Sequence, residues 1–321
     1  MRQGVMVFVL VLALAVGGCA GQAGPPLRIP SSADAATAIS IPGLGPCESE
    51  SDASAGKTID PGRPVVVLVH GCKSSAGRFK TLARVFEAQQ QQAICFSYDH
   101  RDSLEDSSSH LVTALQTLER HLRTREITIL GHSQGGLIAR RALVRTRQGV
   151  ASPGEPFRYQ LVTVSSPFNG IGASADCGSL FLHVVTLGVT VAVCQIAAGA
   201  MWTEIYPQAS FMRSPGTLGS HVERHIKIVT DERDTCRQTD GAGRCAKSDF
   251  VFSLPEQYTP AVDGDLRVES EQVRAGHVEI VGESGLAPEK LIRALQKHHI
   301  LAEPPPDRRE AFAEAVARLY R

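Results

Sequence analysis

The stretch ITILGHSQGGLIARRAL, residues 127–143, constrains this chain more than any other. A β-branched run gives way to a helical run within six residues. Ser133 stands at the change, with Gly131 before it and Gly135 and Gly136 after it. So sharp a strand-to-helix turn crowds the side chains around it, and the glycines relieve that crowding. Such a turn holds its serine in a strained backbone conformation with the hydroxyl raised above the sheet. The helix that follows aims its N-terminus, with free N–H groups, at the same spot. The G-x-S-x-G string alone is a weak signal, and its position between a strand and a helix is what gives it weight.

The rest of the chain supplies a sheet to carry that turn. A continuous apolar run, PVVVLVHG (64–71), suits a parallel strand covered on both faces. Helical spacing follows over 79–92, a short strand over 93–100, and a helix over 107–125. In that last segment Leu111, Leu115, Leu118 and Leu122 share one face, and Glu119 and Arg123 pair on the other. After strand 127–130 and a helix to about Arg147 come strands over 159–167, 225–230 and 266–273, then two helical patterns. Strands alternating with helices mean right-handed βαβ units and a mostly parallel central sheet flanked by helices. With 321 residues, 43% of them hydrophobic, the chain can bury a large core. Residues 63–321 read as one α/β domain. The alternation breaks at 176–222, which reads as a cap or lid insertion. Its apolar stretch from Leu180 to Trp202 allows three readings: a lid or acyl-chain pocket over Ser133, a buried cap helix, or a second membrane segment.

The N-terminus reads as an export signal. MRQGVMVFVLVLALAVGGCAG has a positive start at Arg2 and an apolar run ending in small residues, too short for a comfortable membrane span. Its ending, VGGC, resembles a bacterial lipobox, which makes Cys19 the lipidated first residue of a mature chain and the membrane surface a partner. Ordinary signal cleavage at 1–19 is the alternative. Residues 20–62, rich in Ala, Gly, Pro and Ser, read as a flexible tether. Either route takes the protein out of the cytoplasm, and the lipid anchor would hold it in the cell envelope; outside the cytoplasm the remaining cysteines can form disulfides. Cys236 and Cys245 flank a short polar loop and are the favoured pair. Cys177 with Cys194 is plausible, and one of Cys47, Cys72 and Cys95 stays unpaired. No cysteine–histidine spacing suggests a metal site. With 33 basic and 33 acidic residues the formal net charge is zero, and no long basic run invites nucleic acid.

A serine hydroxyl needs a base within hydrogen-bond reach, and the base needs a carboxylate to orient it. His277, just after the last strand in VRAGHVEIVG, is placed above the sheet and is the candidate base, ahead of His221, His225, His298 and His299. Three aspartates compete as the acid. Asp249 leads into the apolar Phe250, Val251 and Phe252 that would bury it. Asp234 follows the strand HIKIVT, and Asp263 lies close before the last strand. The oxyanion needs two preorganised donors. The amide of Gln134, next to the nucleophile, is one, and that of Cys72, in the loop after strand 65–70, is the other. His70 supports that loop. No cofactor is needed for this chemistry.

These residues resemble the α/β-hydrolase superfamily, and within it the esterase/lipase branch that holds triacylglycerol lipases and GPI inositol-deacylase-like proteins. The matching pieces are VVVLVHGCKSSAGRF, ITILGHSQGGLIARRAL, LVTVSSPFNGIGAS, YPQASFMRSPGTL and GHVEIV. The resemblance implies a triad of Ser133, an aspartate and His277, with Cys72 and Gln134 at the oxyanion. It also implies cleavage of carboxylic esters, chiefly lipid or other lipophilic ones, through an acyl-enzyme. Cys72 stands where many relatives carry a bulky apolar residue, and the acid loop is enlarged. The competing functions are an acyltransferase on the same scaffold and a non-catalytic surface lipoprotein.

Overall fold

The computed structural model describes residues 37–48, 56–145, 156–172 and 199–321. The chain enters through three short strands, β1 (Thr37–Ile39), β2 (Leu44–Gly45) and β3 (Lys57–Ile59). β1 and β3 pair antiparallel as a separate ribbon. Then follow β4 (Val65–Val69), α1 (Lys80–Ala88), β5 (Gln92–Phe96), α2 (Leu104–His121), β6 (Glu126–His132), α3 (Gln134–Arg145) and β7 (Arg158–Val164). Two four-residue helices, α4 (Met201–Glu204) and α5 (Ser210–Arg213), lead into β8 (Val222–Asp231). A hairpin of β9 (Cys236–Thr239) and β10 (Cys245–Ser248) precedes α6 (Pro260–Asp263), β11 (Val268–Arg274), α7 (Glu289–Lys297) and α8 (Arg309–Leu319).

Seven of these strands form one sheet in the order β11-β8-β7-β6-β4-β5-β2. All its pairings are parallel except that of β2 with β5. All five residues of β4 are buried, as a central strand covered on both faces requires. Its side chains alternate between two cores. Val65, Val67 and Val69 face Leu111, Leu115 and Leu118 of α2 and Leu137 of α3. Val66 and Leu68 face Leu82 and Phe86 of α1, together with Leu291, Leu295 and Val316 of α7 and α8. The leucine stripe read from the sequence of α2 is therefore its buried face. Ser103 caps that helix, its hydroxyl accepting from the amides of Glu105 and Asp106.

Two segments differ from expectation. Within the stretch 20–62 read as a tether, residues 37–48 and 56–62 are built onto the fold. Ile39, Ile41, Leu44 and Ile59 are buried, and Cys47 is bonded to Cys95 of β5. Composition hid this because isolated apolar residues among Gly, Pro and Ser carry no period. Within the 176–222 insertion, Met201, Phe211 and Met212 are core residues, and the Ala200 amide donates to the Arg101 carbonyl at 2.8 Å. Residues 176–198, with Cys177, Cys194 and most of the apolar stretch, lie outside the described residues, as do the signal segment and Cys19. Among the described residues no helix is long and apolar enough to cross a membrane.

Candidate active site

β6 ends at His132 and α3 begins at Gln134, so Ser133 alone makes the turn. It takes φ of 55°, the left-handed region that non-glycine residues rarely enter. Its amide donates to the Val164 carbonyl at 2.9 Å, and its carbonyl accepts from Gly136 at 3.0 Å. The flanking glycines serve close approach. A Cβ at Gly131 would lie under 3.0 Å from the Gly135 carbonyl, and one at Gly135 would meet the carbonyls of Val69 and His70. One at Gly136 would strike the Ser166 hydroxyl. Gln134 opens α3, so its amide lies in the first turn, where helix N–H groups have no intrahelical acceptor.

The loop after β4 lies against this turn. A Cβ at Gly71 would stand 3.0 Å from Ser133 Cβ. Next in that loop is Cys72, a free, half-buried thiol whose pKa burial raises. Of the three cysteines among which one was expected to be unpaired, it is Cys72. His70 stacks on Tyr98 at 4.3 Å between ring centroids, and the Tyr98 hydroxyl donates to the His70 carbonyl at 2.6 Å. Burial pulls the His70 pKa down to about 4, so its ring is neutral. These contacts give His70 the loop-supporting place expected of it.

His277 lies in the loop after β11, as its position in the sequence suggested. It is held on every side. Its ring Nδ1 is 2.8 Å from Glu232 Oε1. A carboxylate can only accept, so Nδ1 carries the hydrogen and Nε2 is the open nitrogen. The Phe252 ring meets the imidazole edge-on at 4.8 Å, and that of His132 lies at 4.7 Å. His132 Nε2 donates to the His277 carbonyl at 3.0 Å, which ties the loop to the residue beside Ser133. Burial, then the charges of His277 and Arg78, hold the His132 pKa well below the ordinary value.

The carboxylate on His277 is Glu232, and this corrects the sequence-based choice of an aspartate. Glu232 is the first residue past β8, with its side chain fully buried. Oε1 also accepts from the Ser165 hydroxyl at 2.8 Å, and Oε2 accepts from the amides of Val251 at 2.7 Å and Phe252 at 3.2 Å. Ser165 Oγ stands 2.9 Å from His277 Nδ1 and accepts from the Thr230 hydroxyl at 2.6 Å. Burial alone would raise the Glu232 pKa. The His277 hydrogen bond and charge, the Val251 amide and the Ser165 hydroxyl outweigh it, and the pKa falls below the usual range.

The three aspartates sit elsewhere. Asp249 is buried beside the same loop, but its carboxylate accepts from the backbone amides of Val278 and Glu279. The Asp234 side chain is 91% exposed, near Arg274. Asp263, the last residue of α6, pairs with the buried Lys227. Of the other histidines, His225 bonds Thr163 at 2.9 Å, and His298 lies between Glu269 and Glu271. Read from sequence, the candidates for the acid are aspartates alone. The signal for Glu232 was its place one residue beyond β8, because the acid of this fold is Asp or Glu. Ser165 and Thr230 carried no sequence signal, being two hydroxyls far apart in the chain, one just past β7 and one near the end of β8. Cys236 and Cys245 form the expected disulfide across the β9–β10 hairpin.

The palmitoyl protein thioesterase family model matches residues 64–224, which take in β4, the Ser133 turn and the start of β8. A Bacillus licheniformis lipase in its propeptide form aligns at a TM-score of 0.51 with 12% identity, over 76% of this chain and 52% of that one. The mature form gives 0.49 and 13%, over 75% and 94%. A monoacylglycerol lipase from Paleococcus ferrophilus gives 0.46 and 13%, over 74% and 96%. At 12% identity the first of these likenesses bears on fold alone. No curated protein sequence matches significantly. With half of its length matched by that family model, and with its parallel sheet and serine turn in place, the chain belongs to the palmitoyl protein thioesterase family and is an ester-bond hydrolase of the α/β-hydrolase fold.

Proposed function

We propose that this protein is an exported serine hydrolase that cleaves carboxylic esters of lipophilic acids through Ser133, His277 and Glu232. The observation that carries the reading is the buried His277–Glu232 pair, with the His277 carbonyl bonded to His132, the residue just before the strained Ser133. With Nδ1–H held by Glu232, Nε2 takes the Ser133 proton as the hydroxyl oxygen attacks the acyl carbon. The oxyanion rests on the amides of Gln134 and Cys72. His277 then gives its proton to the departing alcohol. Water repeats the sequence on the acyl-enzyme and frees the acid and Ser133. Family membership favours a second reading of the leaving group, a thiol in place of the alcohol. A thiolate leaves more readily, so the same residues serve both.

Export and anchoring through Cys19 rest on the N-terminal pattern, supported by the two described disulfides. Radiolabelled palmitate taken up by the wild type and not by Cys19→Ser is the expected result; equal labelling would remove the anchor. The catalytic reading is tested with a fluorophosphonate probe and p-nitrophenyl esters from C2 to C16, beside an S-acyl thioester. Wild type is expected to label and Ser133→Ala not to. Glu232→Gln should lose on the order of 10³- to 10⁴-fold in kcat, because an amide can hold the imidazole in the wrong tautomer. Equal labelling of Ser133→Ala, or full activity of Glu232→Gln, would overturn it.

A further inference from the structure

Two carboxylates meet the His277 segment and hold different parts of it. Glu232 takes the ring. Asp249, 4% exposed, takes the backbone. Its main-chain oxygen accepts from the His277 amide at 2.9 Å. Its Oδ1 and Oδ2 both stand 3.1 Å from the Val278 amide, and Oδ2 accepts from the Glu279 amide at 2.9 Å. Three consecutive N–H groups thus converge on one residue. Gly276 permits the approach, since a Cβ there would lie under 3.0 Å from the Asp249 carboxylate.

Asp249 is itself fixed from the other side. Its amide donates to the Thr235 carbonyl at 3.2 Å, and the Val251 and Phe252 amides just beyond it are held by Glu232. The crosslinked hairpin begins four residues after Glu232 and ends at Ser248, next to Asp249. The enlarged acid loop therefore carries a second grip on the histidine loop at its far end.

We propose that Asp249 is a positioning residue, which sets the imidazole of His277 over Ser133 by gripping the peptide that bears it. This rests on the Ser133–His277–Glu232 reading above. A ring bonded at Nδ1 alone can still pivot about the Glu232 oxygen. The amides of 277, 278 and 279 remove that freedom, and the His132 contact closes the peptide from the other face. A misplacement of about 1 Å costs on the order of 10²-fold in rate. A carboxylate suits the task because both its oxygens accept, whereas an amide presents one acceptor and turns its NH₂ toward a second donor.

The test measures kcat and KM separately on a p-nitrophenyl ester, with fluorophosphonate labelling rate and thermal unfolding, for Asp249→Asn, Asp249→Ala, Gly276→Ala and Glu232→Gln in the full chain. Asp249→Ala is expected to lose on the order of 10²-fold in kcat per folded enzyme with KM within about threefold, and Asp249→Asn about tenfold. Gly276→Ala, which pushes on the same carboxylate, should fall in the same direction. If Asp249→Ala fails to fold, Asp249→Asn and Gly276→Ala carry the test. A folded Asp249 variant with kcat within twofold of wild type, or with KM alone raised, would overturn the proposal. Glu232→Gln separates the two readings. If it keeps full activity while Asp249→Asn loses 10³-fold or more, Asp249 is the acid and both fail. If Glu232→Gln is inactive and the Asp249 variants are unimpaired, only the positioning role fails.

Discussion

Ser165 shows how a buried hydroxyl tunes a site from one step away. It sits at φ 45°, fully buried, and donates to Glu232 while receiving from Thr230. A non-glycine residue held there persists only where its surroundings fix it. Ser165→Ala removes one donor from the carboxylate, while the Thr230 hydroxyl keeps Glu232 Oε1 as an acceptor at 3.0 Å, so the cost is that of one hydrogen bond to a charged group, about 1.5–3 kcal/mol. The sign with pH follows from Glu232. Its folded pKa lies below the unfolded value of about 4.3, so its contribution is present above that pH and is lost as pH falls through the folded value. Ser165→Ala lifts the folded value toward the unfolded one and shrinks that contribution. Urea unfolding at pH 7 and pH 4 is expected to show the variant less destabilised at the lower pH; an equal loss at both would count against this account. None of this was legible in the sequence, where Ser165 was one serine in a pair.

At the scale of elements, the strand-turn-helix unit is where sequence and structure agree most closely. β6, Ser133 and α3 fall where the pattern put them, because the glycines are demanded by backbone contacts within and beside the unit itself. A methyl group at Gly135 meets two carbonyl oxygens of β4 and its loop, which cannot rotate away. Gly135→Ala is expected to cost about 3 kcal/mol or more and to abolish fluorophosphonate labelling. Gly241→Ala, in the exposed hairpin with nothing within 4 Å, should stay within about 0.5 kcal/mol. Similar behaviour of the two variants would show that close approach does not explain the glycines. The acid loop behaved differently. Asp249 does stand by His277 and is buried, as its apolar followers suggested, yet Phe250 and Val251 are themselves half exposed and only Phe252 packs on the ring. The sequence indicated a buried carboxylate near the histidine, and pairing across the loop decided which one reaches the imidazole.

For the whole molecule, the buried histidines set an acid limit. The native state keeps His70 neutral down to about pH 4, while the unfolded chain takes a proton near pH 6.5. Stability from this group is therefore complete above about pH 6.5 and declines as pH falls toward 4, by about 3 kcal/mol. His132 and His225, both held well below the ordinary value chiefly by burial, push in the same direction. The urea midpoint is expected to change little between pH 7.5 and about 6.5 and to drop from there to pH 5, and His70→Gln to lessen that slope. A midpoint constant over that range would show that these rings do not remain neutral in the native state. The core that buries them joins segments far apart in the chain, with β2 and Cys47 closing one edge of the sheet and β11 forming the other.

Local chemistry determined the parts that depend on neighbours in sequence: the parallel strands, the leucine face of α2, the serine turn, and a histidine just past the last strand. Each follows from periodicity or from crowding within a few residues. Tertiary structure alone decided the partners that come from different strands and loops. Glu232 meets His277 because β8 and β11 run side by side in parallel and end together. Cys47 meets Cys95 because β2 lies on β5. Those pairings depend on which strand ends share an edge of the sheet, and a one-dimensional pattern does not contain that distance.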